Sequence, residues 1–155
     1  MDTRFDTYCG LYCGGCEVFI ANKKGLVEEK AREWNMDPND LICNGCKSET
    51  VATFCQTCEM KVCAEEKEIE FCFQCTDYPC KMVSDFKNDD RPHHSIVFHN
   101  LGLIKENGIE RWLQEQEKRW SCPSCGEKFS WYSDKCTNCD SKVKNCIDDE
   151  KELVD

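Results

Sequence analysis

The sequence lacks any long apolar run. Its most apolar stretches, residues 95–98 and 101–104, are far shorter than the roughly 20 residues that a membrane-spanning helix needs. The first residues also lack a basic start followed by an apolar core, so we expect no secretory signal. These absences predict a cytoplasmic protein of one or two small domains with no membrane partner.

Catalytic motifs are missing as well. The chain has no Gly-x-Ser-x-Gly, no phosphate-binding loop and no His-Glu-x-x-His sequence. Aliphatic residues are sparse and charged residues make up 32% of the chain, so a purely hydrophobic core would be thin. We therefore favour a role without catalysis, name no catalytic residue, and expect the fold to need a further source of stability.

Cysteine is the residue that this chain has in excess, with 16 among 155 residues. Twelve of them form six Cys-x-x-Cys pairs, which is the clustering of metal sites and not the scatter of a disulfide framework. The pairs are Cys13/Cys16, Cys43/Cys46, Cys55/Cys58, Cys72/Cys75, Cys122/Cys125 and Cys136/Cys139. Bound metal is therefore the expected source of stability, and we expect the metal-free protein to be largely unfolded.

The charge of the chain is strongly acidic, with 20 basic and 30 acidic residues and a formal net charge of −10. Four thiolates around zinc or an iron–sulfur cluster also leave a site with net negative charge, so bound metal does not reverse this balance. General attraction to nucleic acid or to an anionic membrane is therefore disfavoured. Residues 118–147 differ, because six basic residues there face three acidic ones before metal is counted.

The strongest metal motif lies in this basic segment. Its candidate ligands are Cys122, Cys125, Cys136 and Cys139. A Cys-Pro-x-Cys-Gly knuckle turns tightly enough for two thiolates to share one ion, and a second knuckle completes the tetrahedron that zinc accepts. We predict that residues 128–132 supply the strand between the knuckles of a zinc ribbon. The nearby basic and aromatic side chains keep nucleic-acid binding open as an alternative; they are Lys128, Lys135, Lys142, Lys144, Trp120, Trp131 and Tyr132.

Helical periodicity is confined to two parts of the remaining chain. Residues 17–36 indicate two short helices interrupted at residues 22–25. Further helices are predicted after Cys80, up to Asn107-Gly108, and from Ile109 onward. The cysteine-dense residues between these parts leave little room for regular structure.

The predicted fold class is therefore a small metal-stabilised α+β protein. Residues 1–117 form an N-terminal cysteine-rich metal domain with short helices in this interpretation. A C-terminal zinc-ribbon β-hairpin module follows over residues 118–147, and residues 148–155 form a disordered acidic tail.

The spacing of the N-terminal cysteines does not decide which of them bind metal, or which metal they bind. Eleven cysteines precede residue 81, and Cys146 would make twelve, enough for three four-cysteine sites. Zinc and iron–sulfur clusters both accept thiolates, but the ferredoxin run of cysteines is absent, which favours zinc. His93, His94 and His99 can each complete a site, although exposed or capping histidines are common at a helix start. Residues 55–63 and 72–80 share the spacing Cys-x₂-Cys-x₄-Cys. This repeat is either a duplicated ligand loop or a coincidence in a cysteine-dense region.

An ordered series of short motifs recurs in one known family. The motifs are Cys-Gly-Leu-Tyr-Cys-Gly-Gly-Cys at 9–16, Cys-Asn-Gly-Cys at 43–46, Val-Cys-Ala at 62–64, and Glu-Phe-Cys-Phe-Gln-Cys-Thr-Asp-Tyr-Pro-Cys at 70–80. The chain thereby resembles the bacterial and archaeal cysteine-rich family catalogued as domain of unknown function 3795. Residues 100–106 and the segment after them resemble its longer members.

This resemblance implies metal binding and supplies no activity. The family pattern matches ten cysteines, which are Cys9, Cys13, Cys16, Cys43, Cys46, Cys58, Cys63, Cys72, Cys75 and Cys80. Cys55 and Cys146 depart from that pattern.

The functional prediction is a cytoplasmic protein that binds several zinc ions and serves as a structural or adaptor module for an unknown protein partner. Zinc held by four cysteines has no open coordination position, so it organises a surface and does not activate water. The first alternative is an iron–sulfur electron carrier or redox sensor, and the second is nucleic-acid binding through the zinc ribbon.

Overall fold

A computed structural model describes residues 3–153, and eight α-helices lie within that range. They are α1 (Glu17–Lys24), α2 (Val27–Trp34), α3 (Thr53–Gln56), α4 (Glu59–Glu66), α5 (Lys81–Lys87), α6 (Val97–Asn107), α7 (Ile109–Arg119) and α8 (Cys146–Glu152). Four short 3-10 turns accompany them, at Cys13–Gly15, Pro38–Leu41, Cys72–Gln74 and Pro92–His94.

The predicted α+β class is wrong, because no β-strand occurs in residues 3–153. Two isolated antiparallel bridges, Ser121–Lys128 and Lys135–Lys142, are the only β pairings there. The predicted zinc-ribbon β-hairpin is therefore not formed. The cause lies in the backbone of Trp131, whose N–H donates to Gly15 O (2.8 Å) while its carbonyl accepts from Cys146 N (2.7 Å). Lys128 and Phe129 begin to pair with residues 120–121, but Trp131 bonds instead to the 3-10 turn at Gly15 and to the first residue of α8, so the pairing does not extend into a strand.

The predicted helix breaks coincide with glycines that adopt left-handed backbone angles. Gly25 has φ +70° between α1 and α2, and Gly108 has φ +86° between α6 and α7. Because only glycine adopts such angles without strain, these two positions end one helix and allow the next to start in a new direction. The helix predictions for residues 17–36 and for the segment after Cys80 are confirmed.

Two helices occupy segments that were expected to be irregular. Helix α4 lies inside the cysteine-dense region and carries Cys63 as its fifth residue. Helix α8 covers most of the acidic tail, so the prediction of disorder is wrong for residues 148–152. The end of the tail, residues 154–155, lies outside the described residues, as do residues 1–2 of the predicted first domain.

The main core forms around Trp112, which is fully buried on α7. Val97 and Leu101 of α6 pack in the same cluster, and Tyr12 contacts the Trp112 ring edge-on at 6.0 Å. Trp120, Phe129 and Val143 extend this cluster into the C-terminal segment. The N-terminal loop and the C-terminal segment therefore share one hydrophobic core, while the predicted domain bounds remain a prediction.

A second, smaller core holds α1 and α2 together. It consists of Val18, Ala31, Leu41, Cys43 and Ala52, with Cys16 packed against it. Two predicted metal ligands, Cys16 and Cys43, therefore lie at the edge of a compact apolar cluster. None of the helices within residues 3–153 combines the length and apolar character of a membrane span.

Candidate metal centre

The first half of the C-terminal site is a tight loop that begins at Cys122. The Cys122 N–H donates to Glu127 O (2.8 Å), and the Gly126 N–H donates back to Cys122 O (2.8 Å). Within the loop, the Ser124 N–H points at Cys122 Sγ at 3.4 Å. Gly126 has φ +83°, a left-handed angle that lets the chain reverse directly after Cys125.

A second loop repeats this arrangement from Cys136. The Cys136 N–H donates to Ser141 O (2.8 Å), and the Asp140 N–H donates to Cys136 O (3.0 Å). The Asn138 N–H lies 3.4 Å from Cys136 Sγ. Asp140 takes the place of Gly126, with φ +63°. Two loops of the same design therefore present two pairs of cysteines to each other.

The four sulfurs meet between these loops. Cys122, Cys125, Cys136 and Cys139 form a group whose ligand atoms all lie within 4.8 Å of one another. The shortest separations across the site are 3.6 Å from Cys122 Sγ to Cys139 Sγ and 3.5 Å from Cys125 Sγ to Cys136 Sγ. Zinc–sulfur bonds of about 2.3 Å in a tetrahedron place sulfurs about 3.8 Å apart. The group can therefore hold one tetrahedral ion with little rearrangement.

Hydrogen bonds prepare the outer thiols of this site for metal. The side chain and backbone of Ser141 lower the pKa of Cys139 to about 6. The Asn138 side chain and the backbone of Glu127 lower the pKa of Cys125. Both cysteines are exposed, while Cys122 and Cys136 are buried. Because thiolates are the metal-binding form, these shifts favour coordination.

The N-terminal cysteines form a looser collection of thiols. Elsewhere in residues 3–153, no three ligand atoms approach one another as closely as in the C-terminal group. Metal binding by the ten N-terminal cysteines therefore remains a prediction. The structure shows which of these thiols lie near one another.

One set of these thiols surrounds Cys13. The Cys46 N–H lies 3.4 Å from Cys13 Sγ, and the Gly45 N–H lies 3.4 Å from Cys43 Sγ. Burial raises the pKa of Cys13 well above its usual value, and the nearby thiols of Cys46, Cys16 and Cys43 raise it further. Buried thiols stay protonated unless a cation is present, so metal binding here would release protons.

Another set surrounds Cys72. The Cys72 N–H donates to Tyr8 O (2.8 Å), which brings the 72–80 segment beside the N-terminal loop. Burial raises the pKa of Cys72 to about 12, with further contributions from nearby thiols. Those thiols belong to Cys80, Cys63, Cys58 and Cys75. Cys9 links the two sets, because its thiol lies near those of Cys58 and Cys72 and also near that of Cys46.

Lysines supply positive charge among these thiols. Lys67 Nζ lies 3.0 Å from Cys75 Sγ, and this hydrogen bond lowers the pKa of that thiol. Lys61 Nζ donates to Cys46 O at 2.6 Å. Lys47 is almost fully buried, pairs with Asp6 at 2.9 Å and lies over the Phe71 ring at 3.9 Å. Lys67 and Lys61 thus offset part of the negative charge that thiolate sites would bring, whereas the charge of Lys47 is paired with carboxylates.

Two of the three predicted histidine candidates have other partners, and the third, His99, is exposed. His93 stacks on Trp131 with ring centroids 4.4 Å apart, and its Nδ1 lies 2.7 Å from the Tyr132 hydroxyl. His94 is buried, stacks on Phe86 and bonds Asp89 through Nδ1 at 2.7 Å. Burial, followed by the neighbouring His94, lowers the pKa of His93 to about 3, so that ring is neutral near pH 7.

The two cysteines outside the family pattern have different surroundings. Cys146 is buried, and its thiol lies beside the Tyr132 side chain. Cys55 instead has the thiols of Cys16 and Cys43 among its neighbours. The pattern of cysteine spacing could not separate these two cases, because both depend on contacts between distant segments.

The basic side chains of residues 118–147 are largely paired within the chain. Lys128 Nζ bonds Ser121 Oγ at 2.7 Å, and Lys144 Nζ bonds Glu152 at 2.5 Å. Lys135 lies 4.0 Å from Asp140. The Trp131 ring stacks on His93, so this ring and Lys128 and Lys144 make contacts within the protein.

Comparison with known proteins identifies a family for the N-terminal part. The family model described as "Protein of unknown function (DUF3795)" matches residues 5–85, slightly more than half of the chain. The chain belongs to this family. The DUF3795 match contains every cysteine from Cys9 to Cys80 and ends within α5, so the C-terminal four-cysteine group lies outside it. No curated protein and no solved structure matches the chain.

Proposed function

We propose that this DUF3795 protein is a multi-zinc protein whose ions organise a surface for a protein partner. The observation that carries the proposal is the group formed by Cys122, Cys125, Cys136 and Cys139, with all ligand atoms within 4.8 Å. In this proposal one zinc ion binds there, and further ions bind the cysteines of the DUF3795 region.

The coordination chemistry supports a structural role over a catalytic one. Four thiolates saturate tetrahedral zinc and leave no position for water or substrate. The backbone amides of Ser124 and Asn138 point at the sulfurs of Cys122 and Cys136, which is the outer-shell support that orients metal ligands. An ion held in this way fixes the relative position of two loops.

The charge and the cysteine state support a protein partner in a reducing compartment. None of the 16 cysteines forms a disulfide, which fits a reducing compartment such as the cytoplasm. The net charge of −10 opposes binding to nucleic acid and to anionic membranes. A protein partner in the cytoplasm is therefore the proposed target.

An iron–sulfur centre is the second candidate for the N-terminal cysteines. The thiol of Cys72 has four thiol neighbours, so these cysteines form a connected network and not one isolated quartet. The hydrogen bond from Lys67 to Cys75 Sγ resembles the contacts that tune the reduction potential of such clusters. In this form the protein would carry electrons or sense redox state.

Metal analysis of protein purified without oxygen tests both candidates. Zinc, iron and acid-labile sulfide are measured per chain, together with the visible spectrum. Several zinc ions and no visible absorption are expected for the proposed function. Iron with sulfide and a coloured protein would support the second candidate, and a chain without metal would overturn both.

A further inference from the structure

Cys55 lies beside the second, smaller core, close to other cysteines. Its N–H donates to the carbonyl of Ala52 at 2.9 Å, and Ala52 is a buried member of the core that includes Cys43. Cys16 packs against the same core. The position of Cys55 is therefore set by the residues that also place Cys16 and Cys43.

Side-chain hydrogen bonds fix these segments relative to one another. The Asn22 amide on α1 donates to Leu41 O at 2.8 Å, and its carbonyl oxygen accepts from the Cys43 N–H at 3.0 Å. The Thr53 hydroxyl at the start of α3 bonds Asp40 at 3.1 Å. Helix α1, the turn before Cys43 and the start of α3 are thus tied together at three points.

Cys13 joins this arrangement through two contacts. The Cys16 N–H donates to Cys13 O at 3.0 Å within the 3-10 turn, so the two residues share one loop. The Cys46 N–H lies 3.4 Å from Cys13 Sγ, which holds that loop against the 43–46 segment. The thiol of Cys55 has those of Cys16 and Cys43 among its neighbours, together with those of Cys46 and Cys58.

We propose that Cys55 is the fourth ligand of a metal centre that also uses Cys13, Cys16 and Cys43. This inference rests on the proposed metal-binding function and extends it to a cysteine that the family motifs leave out. The sulfurs are less tightly grouped than in the C-terminal site. The centre therefore closes around one zinc ion or holds an iron–sulfur cluster, which spreads its four thiolates further apart.

Cys146 provides the matched control, because it is the other cysteine outside the family pattern. Its thiol is buried against Tyr132, and Asp149 and Glu150 are the charged groups near it. No metal ligand role is assigned to it. Replacing either cysteine by serine removes one thiol and adds one hydroxyl, so both variants make the same chemical change at different places.

The test compares the wild type, Cys55→Ser and Cys146→Ser after purification without oxygen. Cys55→Ser is expected to lose one metal centre per chain, read as one zinc ion or as the iron and sulfide of one cluster. Cys146→Ser is expected to keep the wild-type content. Wild-type content in Cys55→Ser would overturn the inference, whereas a wild type without N-terminal metal would overturn the proposed function itself.

A measurement on the wild type covers the case in which Cys55→Ser does not fold. Iodoacetamide labelling followed by mass spectrometry reads the reactivity of Cys55 with metal present and after a chelator. Protection that disappears with the metal is expected. Equal labelling of Cys55 before and after metal removal would overturn its assignment as a ligand.

Discussion

At the scale of single residues, Gly45 sets the approach of the N-terminal segment to the cysteine loop 43–46. It has φ +113°, and a Cβ built on it would lie 1.7 Å from the carbonyl oxygen of Arg4. The Arg4 N–H meanwhile donates to Asn44 O at 2.9 Å. Any side chain at position 45 would push this backbone contact apart while holding a strained backbone angle.

We expect Gly45→Ala to lower the free energy of unfolding by at least about 2 kcal/mol, since the clash and the strained angle add. Gly102→Ala is the matched control, because that glycine lies within α6 with no atom within 4 Å of an added Cβ. It should raise stability by up to about 1 kcal/mol through helix propensity. Thermal denaturation of the metal-loaded proteins measures the stability of both variants. Equal midpoints for Gly45→Ala and Gly102→Ala would contradict the role assigned to Gly45.

Cys139 offers a residue-scale test of the C-terminal site. Cys139→Ser should lose one ion per chain, because serine is a much poorer ligand for zinc than a thiolate. The Ser141 hydroxyl lies 3.2 Å from Cys139 Sγ and supports it without binding metal. Ser141→Ala should keep the ion but weaken its affinity by roughly tenfold. Metal content and chelator competition separate these outcomes, and full metal content in Cys139→Ser would contradict the site.

The four C-terminal ligands were predictable because each pair of cysteines lies within one short loop. Sequence spacing reports such local geometry directly. The surroundings of Cys55 were not predictable, because they depend on Ala52 and Leu41 entering one core across a loop. The same holds for His93, whose ring contacts Trp131 38 residues further along the chain.

At the scale of elements, helix α8 depends on its first residues. The Asn145 side chain accepts from the N–H groups of Ile147 (3.0 Å) and Asp148 (3.2 Å), which caps the helix. Its amide nitrogen also donates to Asp134 Oδ1 at 2.9 Å, next to the second cysteine loop. Asn145 therefore joins α8 to the loop that holds Cys136 and Cys139.

Asn145→Ala should lower the free energy of unfolding by about 1–2 kcal/mol, because the cap and the tie to Asp134 are both lost. Hydrogen exchange at the α8 amides should accelerate as the helix frays. Gln114→Ala, on the exposed side of α7, should change neither quantity measurably. Unchanged exchange in Asn145→Ala would mean that packing alone holds α8.

Helix ends proved easier to predict than the absence of a strand. Gly25 and Gly108 mark breaks through a property of glycine itself, independent of distant residues. The strand predicted at residues 128–132 failed because Trp131 takes its backbone partners from Gly15 and Cys146. The local sequence between the two cysteine knuckles cannot reveal such long-range competition. Asn145, a capping residue just before the acidic tail, was an available signal for α8.

At the scale of the whole molecule, the N-terminal cysteine loop contacts the C-terminal segment that carries the four-cysteine group. Trp131 meets Gly15 closely enough that a Cβ there would lie 2.2 Å from its Nε1 atom. An ion pair between Lys24 and Glu127 (3.0 Å) adds a second contact between the same parts. Loss of metal at either end is therefore expected to loosen the other.

This coupling predicts one cooperative transition. Because sixteen thiols replace much of an ordinary apolar core, metal removal should unfold the chain and not only the loops. Gly15→Val, which blocks the approach of Trp131, should lower the thermal midpoint of both the DUF3795 region and the C-terminal segment together. Separate transitions, followed by site-specific hydrogen exchange, would indicate two independent domains.

The most direct test of the central claim is a chelator titration followed by circular dichroism and native mass spectrometry on the same samples. The claim is that metal ions bound by cysteine thiolates hold this fold together. It predicts that the helical signal disappears in step with the loss of bound ions and returns when metal is restored. A metal-free chain that keeps its full helical signal would contradict it.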